Sequence, residues 1–206
     1  MCSFSTKLVL EECARDLCLV LHYKQLKPRL MRQLRPWALC HSGGGTSYDE
    51  YDVLRDRNYR EIVHNFDGAQ IGFCGGHQIL ASFFGSRIAP MRKLRRGEPD
   101  LSSYSPGDFK EWGVYPVRIL RPDPIFRGFR SVIRVQEYHA WEVKRLGAEL
   151  KLLAASPGCR VQAFVHRHKP VYGAQFHPES APKGYPDGRK ILGNFFRLAR
   201  ACGLKN

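Results

Sequence analysis

The chain has no stretch of about eighteen uninterrupted apolar residues, so no helix in it is expected to cross a bilayer. A secretory leader is missing too, because Glu11, Glu12, Arg15 and Asp16 break the apolar core such a segment needs. The expected address is the cytoplasm, with no membrane association. There is no C-x-x-C pair, and the seven cysteines (2, 13, 18, 40, 74, 159, 202) are odd in number and irregularly spaced. A disulfide framework is thereby excluded, and most of them are expected to be buried, reduced thiols. Cys74 with His77, plus His166 and His168, comes nearest to a ligand cluster. A zinc site built on these lacks a second paired half, so no metal is expected. Acidic residues are scarce, 19 against 33 Lys and Arg, which leaves a net charge of +14. The excess gathers at Lys24, Lys27, Arg29, Arg32 and Arg35, and again at Arg92, Lys93, Arg95 and Arg96. A docking face for nucleic acid or an acidic protein would carry such charge. No nucleic-acid module accompanies it, so a solvated face is favoured and nucleic acid is not an expected partner.

No repeat, low-complexity tract or linker interrupts the sequence, which reads as one domain over residues 1–206, long enough to bury a core. Short apolar runs alternate with helical stretches, the pattern of an α/β protein with a mainly parallel sheet covered by helices. Strands are expected at Trp37–His41, Gln70–Phe73, Val114–Leu120, Ser131–Gln136 and Val171–Phe176, and a hairpin pair at Leu150–Ala155 and Val161–His166. Helices are expected at His77–Phe84, ended by Gly85, and at Lys190–Arg200, whose apolar residues recur at helical spacing. Pro90 to Gly113 reads as loop. The first forty residues are ambiguous: Leu17–Tyr23 fits a first strand followed by a basic helix to Leu34, and a helix through both fits nearly as well.

Three segments carry chemistry. Gly72-Phe-Cys-Gly-Gly76 has the form G-x-C-x-G between a strand and a helix, a nucleophile elbow with cysteine in place of serine. Its glycines allow a sharp turn that exposes the sulfur at the sheet edge, and the helix N-terminus favours a thiolate there. Read alone, it is also compatible with a structural cysteine in a glycine-rich turn. His177-Pro178-Glu179 offers a base and its orienting carboxylate, since residues i and i+2 of an extended segment share a side. Ser42-Gly-Gly-Gly45 follows another strand, so its N–H groups can face a developing oxyanion beside that of Gly75. A phosphate loop is the other reading of these glycines, but no G-K-[ST] follows and Asp49 and Glu50 are acidic.

Gly72-Phe-Cys-Gly-Gly-His-Gln78 and Gly173-Ala-Gln-Phe-His-Pro-Glu179 resemble the G-x-C-x-G-x-Q and G-x-Q-F-H-P-E motifs of the class I (triad-type) glutamine amidotransferases. The resemblance spans about residues 37 to 200. It implies a flavodoxin-like α/β fold with Cys74 as nucleophile, His177 as base and Glu179 as its orienter. It further implies an oxyanion hole at Gly44 and Gly75, substrate glutamine bound by Gln78, and its amino-acid end held at Tyr138 and His139 within Glu137-Tyr-His-Ala140. The implied reaction converts glutamine and water to glutamate and ammonia through a γ-glutamyl thioester, without a cofactor. The ammonia would pass to a separate synthase.

The Cys- and Arg-rich opening departs from the family, whose members usually begin with a clear apolar strand, so the first strand is expected to be altered or missing. Cys2 would become an N-terminal nucleophile after methionine removal, as in the unrelated Ntn amidotransferases, but Ser3-Phe4-Ser5 lacks their glycine-rich start. Two other functions stay open: a hydrolase of another γ-glutamyl compound, and a non-catalytic binding or regulatory module. The intact Cys, His and Glu disfavour the latter.

Overall fold

A computed structural model describes residues 4–203; Cys2 lies outside the described residues. Helix α1 (Phe4–Ala14) ends where Arg15 takes a left-handed φ of 53°. Residues 17–22 then run without regular structure, one 3-10 turn covers Tyr23–Gln25, and helix α2 spans Pro28–Leu34. Neither expectation for Leu17–Tyr23 holds, since the segment is not a strand and no helix runs through it to Leu34. Pro28 explains part of this. It has no N–H and fits the first turn of a helix rather than its interior, so it starts α2. No described strand pairs with 17–22, and Leu17, Leu19 and Val20 stay exposed.

Seven strands build the main sheet: β1 (Ala38–His41), β2 (Ala69–Phe73), β4 (Glu111–Ile119), β5 (Val132–His139), β7 (Leu150–Ala155), β8 (Ala163–His166) and β9 (Val171–Ala174). Their order is β1-β2-β9-β8-β7-β4-β5. A second, two-stranded antiparallel sheet joins β3 (Arg87–Pro90) to β6 (Trp141–Arg145). The α/β class is as expected, with the parallel part concentrated in β1, β2 and β9. From β4 onward the ladders are antiparallel. Parallel neighbours need a long crossover, whereas short connections such as 156–162 between β7 and β8 bring the chain straight back.

Three more helices complete the layers: α3 (Arg57–Asn65), α4 (Gly75–Phe83) and α5 (Asp187–Gly203). Strand β2 is buried throughout and divides its side chains by the strand period of two. Ala69, Ile71 and Phe73 join Ile191, Leu192 and Phe195 of α5 and Leu10 of α1 in one core. On the opposite face Leu80 and Phe83 of α4 pack with Tyr59 and Val63 of α3 and with Val171. Each such side chain removed from water is worth about 1.5–3 kcal/mol. Helix α4 begins at Gly75, two residues before the expected start, because its first turn lies directly on the sheet. A Cβ on Gly76 would stand 1.8 Å from the carbonyl oxygen of His41, so only glycine allows that approach. Among the described residues no helix is long and apolar enough to cross a membrane.

The basic runs are partly neutralised within the fold. Arg92 pairs bidentately with Glu98, Lys93 with Asp108, and Lys24 with Asp52 and Asp56. The exposed cations of the first run are Lys27, Arg29, Arg32 and Arg35.

Candidate active site

Three neighbouring strands end at one cleft. Past β2 comes Cys74, with φ 47° and ψ −110°, a strained conformation for a residue with a side chain. It is held there by its own N–H, which donates to the Ala174 carbonyl at 2.9 Å, and it stands at the N-terminus of α4. Past β1 come Gly43 and Gly44. A Cβ built on Gly75 would lie 3.0 Å from Gly43 Cα and 3.4 Å from the Gly44 nitrogen, so the backbones of the two glycine segments lie side by side. Past β9 comes His177, whose N–H donates to the Gln136 carbonyl at 2.8 Å.

His177 Nδ1 lies 2.7 Å from Glu179 Oε1, and Nδ1 is the donor because an ionised carboxylate only accepts. The contact expected from an extended i, i+2 pair is therefore made, but by another route: Pro178 opens a 3-10 turn over Pro178–Ser180 that brings the carboxylate back to the ring. With Nδ1 committed, Nε2 is left for the Cys74 thiol. Burial alone would lower the His177 pKa. Hydrogen bonds to Cys74 and Glu179, with the negative charge of both, outweigh burial and raise it to about 11. The site thus favours a thiolate–imidazolium pair. The thiol also lies 3.8 Å from the Tyr138 carbonyl oxygen.

The cleft is a cavity of about 290 Å³ lined by Gly43–Tyr48, Cys74, Gly75, Gln78, Tyr104, Trp112, Tyr138–Trp141 and His177. That is at the small end of ligand pockets, a size for an amino acid rather than a large cofactor. The residues expected at the substrate all line it, in differing ways. Tyr138 is half-exposed, and its ring packs on Trp112 and His177. Gln78 is buried and its amide is engaged by the protein. Nε2 donates to the Trp141 carbonyl (2.8 Å) and to Gln175 Oε1 (3.1 Å), and Oε1 accepts from the Tyr48 hydroxyl (2.9 Å). His139 is buried as well. Its Nδ1 donates to the Trp141 carbonyl at 2.9 Å, and Nε2 faces Glu111 at 3.1 Å and Glu137 at 3.3 Å. Burial opposes its charge, but the two carboxylates prevail and push its pKa up to about 10. Burial raises the pKa of Glu137 in turn.

Sequence reasoning missed Glu111, Tyr48, Tyr104 and the two tryptophans. Two G-rich motifs drew attention to the sulfur, whereas these residues carry no local pattern. The suggested Cys74–His77 cluster does not assemble, because His77 is buried against the Phe164 ring at 4.8 Å and burial lowers its pKa to about 3. Among the described residues the set whose donor atoms converge is Glu111, His139 and Cys159, within 4.8 Å of one another. The six described cysteines form no disulfide with one another.

The family described as glutamine amidotransferase class-I matches residues 20–199. A Pyrococcus abyssi protein named as the glutamine-hydrolyzing subunit of GMP synthase is 34% identical over 176 residues, 84% of this chain and 79% of that protein. A crystal structure assigned to a GMP synthase subunit of Thermoplasma acidophilum superposes with a TM-score of 0.74 at 27% identity, covering 96% of this chain and 88% of that one. A glutamine amidotransferase of Thermotoga maritima shares the fold, with a TM-score of 0.52 at 20% identity over 81% of this chain and 74% of that one. With its strained cysteine, its His–Glu pair and these likenesses over most of its length, this chain belongs to the class-I glutamine amidotransferase family.

Proposed function

We propose that the chain hydrolyses the side-chain amide of glutamine with Cys74 as nucleophile, His177 as base and Glu179 as its orienter. The observation that carries this is the meeting of a strained, cleft-facing Cys74 with a His177 whose other nitrogen is fixed by Glu179. His177 Nε2 takes the thiol proton, and the sulfur attacks the γ-carbonyl carbon. The oxyanion that forms faces the backbone N–H groups of Gly44 and Gly75. Its collapse expels ammonia, protonated by His177, and leaves a γ-glutamyl thioester. Water activated by His177 then releases glutamate and restores the thiol.

The relatives' name supports a partner for this chain too: a separate, GMP-forming synthase subunit that takes up the ammonia. We place the pair in the cytoplasm, read the chain as a single amidotransferase domain, and expect the isolated protein to be a slow glutaminase that its partner activates. Exposed Arg29 and Arg32 on α2 suit electrostatic docking. The test is ammonia release from glutamine with and without the purified synthase subunit. Arg29→Glu with Arg32→Glu should weaken the partner's effect and its salt dependence while sparing the basal rate. Turnover by the isolated chain at a typical roughly 10 per second would refute partner activation.

The aromatic walls formed by Tyr48, Tyr104, Trp112, Tyr138 and Trp141 favour a second reading, hydrolysis of a bulkier γ-glutamyl amide by the same machinery. Glutamine and γ-glutamyl amides compared side by side decide between them by their kcat/KM.

A further inference from the structure

Behind the cleft lies a buried charged cluster that the chemistry at sulfur does not use. Strands β4 and β5 pair so that Glu111, the first residue of one, stands opposite His139, the last of the other. The Glu111 carboxylate accepts from Ser156 Oγ (2.6 Å), Gln162 Nε2 (2.6 Å) and His139 Nε2 (3.1 Å). Glu137 flanks the same imidazole nitrogen. The other ring nitrogen faces the Trp141 carbonyl, which can only accept. Acceptors on both sides require a proton on each nitrogen, so His139 is an imidazolium. Its charge is directed at a carbonyl that also accepts from Gln78.

The chain changes sheets at this point. Strand β5 ends at His139 and β6 begins at Trp141, and the intervening Ala140 carbonyl accepts from the Met91 N–H at 2.7 Å. A turn between two sheets leaves its remaining carbonyls unpaired by any ladder: that of Tyr138 faces Cys74, and that of Trp141 meets Gln78. We propose that Glu111 is a positioning residue: by anchoring the charged His139 ring it fixes the Tyr138–Trp141 turn, and with it Gln78, as the wall that receives the amino-acid end of the substrate. The inference rests on the glutamine reading above. Glu111 touches no substrate atom and acts through His139.

Two measurements on the full chain test it. In the first, nitrogen-15 spectra of the histidine rings are recorded at about pH 8, above the ordinary histidine range, with His139→Asn used to assign the signal. Both His139 nitrogens should carry protons in the wild type, and Glu111→Gln should convert the ring to the neutral form. In the second, Glu111→Gln should raise KM for glutamine roughly tenfold with kcat changed less than about twofold, the pattern of lost uniform binding. Alkylation of Cys74 by iodoacetamide, which has no amino-acid end, should keep its wild-type rate. A neutral or metal-bound His139 ring in the purified wild type overturns the proposal, and does so even if Glu111→Gln fails to fold. An unchanged KM, or a fall in kcat and in the alkylation rate together, overturns it as well. A wild type that hydrolyses no glutamine would instead defeat the proposed function, and the spectrum would still decide the charge on His139.

Discussion

Glu179 reaches His177 around a corner: Oε1 stands 2.7 Å from Nδ1 across a 3-10 turn opened by Pro178. Pro178 is buried and its φ is fixed by its ring, so the turn cannot relax into an extended strand without losing the contact. The carboxylate therefore acts as a stop that holds the imidazole at one orientation and one tautomer.

An orienting group of this kind is worth less than the base it orients. Glu179→Gln should retain roughly ten to a hundred times more glutaminase activity than His177→Ala. Steady-state ammonia release from the two variants checks the order, and the reverse order would show that the roles are misassigned.

Cys74→Ala should abolish glutamine hydrolysis and leave the far-ultraviolet circular dichroism unchanged, because the elbow is held by backbone contacts and by neighbouring glycines. In the wild type, a glutamine analogue with an electrophilic γ-carbon should modify Cys74 and leave the other five described cysteines untouched. Peptide mapping by mass spectrometry reads the outcome, and label found elsewhere would move the nucleophile.

Gly76→Ala places a methyl group 1.8 Å from the His41 carbonyl, and backbone on both sides leaves it no room to yield. The expected loss is about 3 kcal/mol or more, at the upper end for overpacked cores. Urea unfolding midpoints at an unchanged slope would measure it. A near-neutral result would mean that α4 is not seated on the sheet as described.

The charge on His139 sets a pH dependence. Its pKa is about 10 in the fold against an ordinary 6.5. A group raised on folding contributes its full stabilisation below the unfolded value and loses it as pH climbs through the folded value. The stability gap between wild type and His139→Asn should therefore be widest below pH 6.5 and close toward about pH 10. Thermal melts of both proteins across that window test the sign, and His177, present in both, cancels from the difference.

What could be read from the sequence was what sequence proximity encodes. Gly72, Gly75 and Gly76 flank Cys74 because a sharp strand-to-helix turn needs them locally, and His177 and Glu179 are two residues apart. Even there the contact was foreseen for the wrong geometry, a strand in place of a turn. Glu111 was illegible because its partner lies 28 residues away and is brought opposite it by strand register alone. Strands β3 and β6 escaped notice for a related reason: they are short, partly exposed and lack a clean alternation. The opening misled in a different way. Leu17, Leu19, Val20 and Leu21 look like a buried strand, yet all of them are exposed.

The oxyanion glycines, the nucleophile and the base leave the ends of β1, β2 and β9, which are adjacent and parallel. Inter-strand spacing is set by backbone hydrogen bonds and hardly varies with side-chain identity, about 4.8 Å per step. The sheet thus serves as a ruler whose graduations evolution cannot easily redraw. Residues around it can drift far, as the 34% identity to the Pyrococcus abyssi protein illustrates, while the distances among the three loops are inherited with the backbone.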